Sequence, residues 1–250
     1  MLRNLTKLLF LSSFPFLMFS CSCSGDKENT DDKDSKGDTT KVANAEESAK
    51  ADPTARLYYD GNINKEKSFV VISKKNLNLS VYADVNGDTV LVVRYPVCLS
   101  KKQGQKEMSG DMKTPHSEPG EPFTISEIKD ASTWCHDFGD GRGEILAYGA
   151  WFHRLKLNGD LASNRSIGIH GSTNSEWSIP GSKAKAPEGK TVGHDSEGCI
   201  RLNDSEIIHF HDNYAFVGQK VYIKSEDQGD LPFEKNIKNK GEEGKVLETK

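Results

Sequence analysis

The chain has 250 residues, of which 35% are apolar and 28% charged, with a formal net charge of −4. That length allows one or two domains. The weak negative balance gives no basis for nucleic acid or an anionic membrane surface as a charge-held partner.

Residues 1–20 read as a secretory signal. Arg3 and Lys7 precede an apolar run over 8–19 that Pro15 interrupts, too short for a spanning helix. The run ends in Met18-Phe-Ser-Cys21, a small residue directly before a cysteine, which resembles a bacterial lipobox. The resemblance implies cleavage before Cys21, acylation of its thiol and attachment to a membrane through that lipid anchor. Cys23 is a competing acceptor, and an ordinary signal followed by two incidental cysteines is the alternative. Ser22 after Cys21 points to the periplasmic face of the outer membrane by the enterobacterial sorting rule, and so to the cell envelope. Residues 21–56 are acidic and polar and almost free of large apolar side chains, so the segment is predicted to be a disordered tether. The polar stretch 225–250 is predicted to be a frayed, disordered tail. Residues 57–224 remain as one compact domain.

Within that domain, 68–73 (Ser-Phe-Val-Val-Ile-Ser) and 78–83 (Asn-Leu-Ser-Val-Tyr-Ala) predict two strands, and Asn86-Gly87 predicts the hairpin turn to a third over 89–95. Short strands are expected over 123–125, 155–157, 167–169 and 220–223, with Gly and Pro between them. Asn203 or Asp204 can cap a helix over 205–211. The expected fold is mostly β, a sandwich-like domain with one or two short helices.

Ser196-Glu-Gly-Cys-Ile-Arg201 carries the chemistry. A thiol becomes a strong nucleophile as thiolate, and an adjacent imidazole takes its proton and holds the ion pair. His170, at the end of a predicted strand and before Gly171, is the candidate base, and His194 is its rival. Zinc held by Cys199, His170 and His194 fits none of the usual ligand spacings. Cys98 and Cys135 could pair as a disulfide or remain two separate thiols. Tyr148, Trp151 and Phe152 are candidates for either a groove or the core.

Three stretches in order resemble the L,D-transpeptidase catalytic domain (YkuD) family: Gly110-Asp-Met-Lys-Thr-Pro115 followed by Gly120-Glu-Pro-Phe-Thr-Ile125, then Ile167-Gly-Ile-His-Gly171, then Val192-Gly193 with Ser196-Glu-Gly-Cys-Ile-Arg201. The resemblance implies Cys199 as nucleophile, His170 as base, and Gly171 as the residue whose carbonyl orients the imidazole. It further implies backbone N–H groups near Gly198 and Cys199 as the oxyanion hole, Ser196 as the shaper of the loop, and Arg201 as support for the site or holder of a substrate carboxylate. The implied partners are peptidoglycan stem peptides, and no metal or other cofactor is required. The implied activity is release of D-alanine through a Cys thioester with formation of 3→3 cross-links. An L,D-carboxypeptidase or endopeptidase using the same Cys and His, and a non-catalytic wall-binding lipoprotein, are the alternatives. Two departures stand out. Glu197 occupies a position where the family most often has His. His170 and Ser196 are 26 positions apart, longer than usual, with the excess placed at 173–190 as a lid or a plain surface insertion.

Overall fold

The computed structural model describes residues 54–139, 141, 143–164, 166–172 and 193–249. The predicted signal over 1–20, Cys21, the predicted tether up to residue 53 and the stretch 173–190 lie outside the described residues. Among the described residues no helix is long and apolar enough to cross a membrane.

Strands β1 (Arg56–Leu57), β2 (Ser68–Ser73), β3 (Asn78–Val85), β4 (Asp88–Pro96) and β5 (Cys98–Ser100) come first. They are followed by β6 (Phe123–Asp130), β7 (Cys135–Asp137), β8 (Glu144–Leu146), β9 (Trp151–Lys156), β10 (Gly168–His170), β11 (Gly193–Ser196) and β12 (Ile200–Arg201). Helix α1 (Asp204–Asn213), β13 (Lys220–Lys224) and β14 (Lys245–Val246) complete the order. The fold is mostly β, as expected. Twelve strands make one curled sheet in the order β11-β5-β12-β10-β9-β6-β13-β2-β3-β4-β1-β14, while β7 and β8 form a hairpin of their own.

The meander β2–β3–β4 forms where apolar alternation and the turn signal agree. Asn86 and Gly87 both take positive φ, which matches the twist of the strands they join, and Asp84 Oδ1 accepts a 2.8 Å bond from the Gly87 N–H. The expected strands over 123–125 and 155–157 are parts of longer ones. β6 and β9 pair antiparallel as far as Asp130 and Trp151, past a register shift between Ile125 and Glu127 that breaks the apolar alternation. The main core lies on one face of the sheet, where Val70, Ile72, Leu79, Val81, Ile125 and Ile169 are buried together with Ile207 and Phe210 of α1.

Helix α1 starts where the sequence placed it. The Asn203 side chain accepts from Ser205 N–H, and the Glu206 carboxylate accepts from Asn203 N–H, both at 3.1 Å, closing a capping box. Glu206 is buried, and desolvation pushes its pKa up to about 7 against the opposing pull of the Asn203 N–H. Between the unfolded value of 4.5 and about 7 the folded protein therefore holds the extra proton, so stability falls as pH rises through that window. The full effect is about 3 kcal/mol in order of magnitude. Glu206→Gln keeps an acceptor for Asn203 but has no proton to lose. Urea denaturation of both proteins at several pH values should show the variant gaining on wild type as pH rises from about 4.5 to 7. A constant gap across that range would remove the buried carboxyl as the cause.

The stretch from Ser225 is not the frayed tail that its composition suggested. Three of its few apolar residues, Leu231, Phe233 and Ile237, cover Val71, Tyr82 and Leu91 on the outer face of the meander. The Phe233 ring meets those of Phe69 and Tyr222 at centroid distances of 4.8 and 5.4 Å. The buried polar groups are paired. Lys224 Nζ lies 2.8 Å from Glu234 Oε2, and the Asn239 side chain both accepts from Leu91 N–H and donates to Leu91 C=O at 2.9 Å. Composition underestimated this segment because its polar side chains complete hydrogen bonds that the meander leaves open. At the other end, Ala55 is buried and Arg56 pairs with both Arg94 and Val246, so the folded part begins before residue 57.

Candidate active site

β10 and β12 run parallel with His170 opposite Arg201. Paired residues on neighbouring strands project to the same face, and Cys199 lies two residues before Arg201, so the three share a face. All three line one cleft, together with Ser196, Glu197 and Tyr148. The fold thus brings together the residues that the sequence singled out from two separate stretches.

The loop between β11 and β12 is tied internally. Ser196 Oγ donates to Cys199 C=O at 2.6 Å and accepts from Gly198 N–H at 3.2 Å. These two bonds span the turn from Ser196 to Cys199. The Gly198 N–H, expected to point into an oxyanion hole, is engaged by this hydroxyl instead. Among the described residues the Cys199 N–H has no such acceptor, so it is the better donor toward a developing oxyanion. Gly198 takes φ +134°, and a Cβ there would sit 3.0 Å from Lys113 C=O and 3.1 Å from Ile167 Cδ1. The Thr-Pro stretch explains itself through the same neighbourhood. Buried Thr114 exchanges two hydrogen bonds with Ser100, at 3.1 and 2.7 Å, and Ser100 is the β5 partner of Ser196. This clamp braces the loop that carries Cys199 from outside.

His170 is buried, with its ring stacked on Phe152 at 5.7 Å and set edge-on to Tyr148 at 5.1 Å. Its Nδ1–H donates to the Gly171 carbonyl at 2.5 Å. That bond assigns the tautomer and leaves Nε2 as the lone-pair nitrogen. Desolvation, helped by the Arg201 charge, lowers the pKa to about 3 against the opposing Gly171 bond. Cys199 is half-buried and its thiol donates to Ser166 C=O at 3.3 Å. Burial raises its pKa above the ordinary 9.0, with the Gly168 backbone and Arg201 acting in the other direction. Both shifts favour the neutral forms, thiol and imidazole, in the resting cleft. Alkylation of Cys199 by iodoacetamide, followed on its own peptide by mass, should climb with pH to beyond about 9 without a plateau near neutrality. A plateau below about pH 7 would mean a thiolate–imidazolium pair and would defeat this assignment.

Arg201 is buried, and its Nη1 lies 3.4 Å from Asp195 Oδ2. Glu197 Oε2 approaches His136 Nε2 of β7 at 3.7 Å. Lys106, also on the cleft wall, is bound at 2.7 Å by Asp111. Burial opposes ionisation of Asp111, but Lys106 and the N–H groups of Glu107, Lys113 and Met108 hold its carboxyl well below the usual range.

Tyr148 lines the cleft, whereas Phe152 lies behind His170, and Trp151 stacks on His211 at 3.6 Å. His194 donates to Ser100 C=O at 3.0 Å and does not border the cleft, which leaves it out of the chemistry. His209 and His211 go separate ways, to the Tyr95 hydroxyl at 2.7 Å and to His153 at 3.3 Å. Cys98 is buried and Cys135 exposed, and neither is in a disulfide. Sequence reasoning missed Lys106, His136 and Asp195. Asp195 adjoins the motif and could have been suspected as the arginine's counter-ion, but His136 sits on a three-residue strand with no pattern to mark it.

The family described as the L,D-transpeptidase catalytic domain, YkuD, matches residues 67–223. Among solved structures, the chain is similar to the helical cell shape determining protein Pgp2 from Campylobacter jejuni, with 18% identity and a TM-score of 0.43 over 75% of this chain and 56% of that one. It is also similar to Bd1075 from Bdellovibrio bacteriovorus, with 16% identity and a TM-score of 0.42 over 68% and 52%. An L,D-transpeptidase from Mycobacterium smegmatis gives 16% identity and a TM-score of 0.37 over 64% and 59%. The chain spans little more than half the length of the first two. No curated protein matches it. With well over half of its length matched by one family, this chain belongs to the L,D-transpeptidase catalytic domain (YkuD) family.

Proposed function

We propose that the protein is a cysteine L,D-transpeptidase acting on peptidoglycan stem peptides. One observation carries the reading: His170 and Cys199 face a single cleft, with the imidazole locked by Gly171 in the tautomer that can accept the thiol proton. Nε2 of His170 takes that proton as the thiolate attacks the carbonyl of the third residue of a stem tetrapeptide. The Cys199 N–H meets the oxyanion, and Arg201 supplies positive charge beside the forming thiolate. The tetrahedral adduct collapses as His170 gives the proton to the leaving D-alanine nitrogen. An amine then opens the thioester. When it is the side-chain amine of another stem's diamino acid, the product is a 3→3 cross-link, and when water attacks instead the protein acts as an L,D-carboxypeptidase.

The sequence supports an anchored form of this enzyme, acylated at Cys21 and held by the 21–56 tether on the periplasmic face of the outer membrane. Such a tether spaces the cleft away from the membrane and toward the wall.

Incubation with disaccharide tetrapeptides, with products resolved by mass, tests the activity. Dimers lacking one D-alanine are expected. Tripeptide monomers alone would reassign the protein as a carboxypeptidase, and no turnover would leave a wall-binding role.

A further inference from the structure

We infer that Glu197 is the residue that receives the cationic amine acceptor, an inference that rests on the transpeptidase reading above. Among the described residues that line the cleft, Glu197 is the sole carboxylate. The cleft's cations are already matched: Lys106 is bound by Asp111 and Arg201 by Asp195, and neither aspartate borders the cleft. Among the described residues Glu197 has no such tight partner. Its contact with His136 is 3.7 Å long, and both side chains are about two-fifths exposed, so an incoming group can displace it.

Glu197 and Cys199 line the same cleft, and the step that a carboxylate on this wall can serve is the second half-reaction. Once the thioester has formed, the sulfur carries no charge, and the arriving alkylamine is an ammonium near neutral pH. A carboxylate at the cleft wall raises the local concentration of that cation and orients it. The ammonium releases one proton to solvent, its nitrogen attacks the thioester carbonyl, and the C–N bond forms as the C–S bond breaks. The second proton passes to His170 and from there to the departing Cys199 thiolate. Glu197 touches the acceptor and sets which acceptors succeed, while His170 does the proton transfer.

The readout is how the thioester partitions between water and amine, a ratio that does not depend on how fast the thioester forms. Protein loaded with a tetrapeptide donor is offered either a diamino-acid stem peptide, cationic at pH 7, or hydroxylamine, neutral at that pH. Glu197→Gln should lower the aminolysis-to-hydrolysis ratio about tenfold for the cationic acceptor and change it by less than about twofold for hydroxylamine. Glu197→Asp, which keeps the charge, should recover most of the loss. Equal losses with both acceptors, or no loss with either, while the donor is still consumed, would overturn the role of Glu197 alone. If wild-type protein consumes no donor, the transpeptidase reading fails and this inference fails with it.

Discussion

Replacing Cys199 with alanine should lower donor consumption by on the order of 10⁴-fold or more, because among the described residues of the cleft wall no other thiol is available to form the thioester. His170→Ala should do nearly the same. Burial disfavours the thiolate, so the thiol depends on the imidazole at the moment of attack. The two losses should not add: the double variant is expected to be about as slow as either single one. Melting temperature separates chemistry from folding. Cys199→Ala removes one sulfur from a half-buried site and should leave the melt nearly unchanged. His170→Ala leaves space beside Phe152 and should lower it. If Cys199→Ala keeps more than about a tenth of the wild-type rate, the nucleophile lies elsewhere.

The second large effect is expected at a residue with no reactive group. Gly198→Ala places a methyl 3.0 Å from Lys113 C=O at a backbone angle that side chains rarely adopt. Either the loop moves or the Thr-Pro stretch moves, and both hold Cys199 in place. A misplacement of about 1 Å is worth about 100-fold in rate, and the strain itself about 1–3 kcal/mol in stability. Gly193→Ala is the control. Its φ is also positive, +112°, but among the described residues nothing lies within 4 Å of the added methyl, so it carries strain without collision there. The kcat/KM of Gly198→Ala should fall by about two orders of magnitude, with a much smaller fall for Gly193→Ala. Equal, small losses would mean that the loop tolerates displacement and that its hydrogen bonds through Ser196 matter more than its packing.

The parts of this protein that could be read in advance are those in which local signals coincide with long-range ones. The meander was legible because alternating apolar residues and an Asn-Gly turn act over a few positions. Helix α1 was legible because its cap and its Glu206 are adjacent in the chain. Cys199 and His170 were legible as chemistry, but the parallel pairing of β10 with β12 that puts them on one face is a contact between distant segments with no local trace. The β7–β8 hairpin was not legible at all. Its strands are three residues long and rich in polar side chains, so His136 had nothing to mark it as a neighbour of Glu197. The engaged Gly198 N–H and the burial of the thiol and imidazole were likewise beyond a sequence reading, since hydrogen-bond direction and desolvation exist only once the loop has closed.

The packed stretch after Ser225 bears on where this domain can be cut. A fragment ending at Lys224, where composition alone would draw the line, would lose the cover over Val71, Tyr82 and Leu91 and would bare one side of β1. An apolar patch next to an unpaired strand edge is a ready surface for self-association. Insolubility of such a fragment would then reflect the missing lid on the outer face of the meander and say nothing about the end of the sheet that carries the Cys199 cleft, which lies at the opposite edge of the strand order.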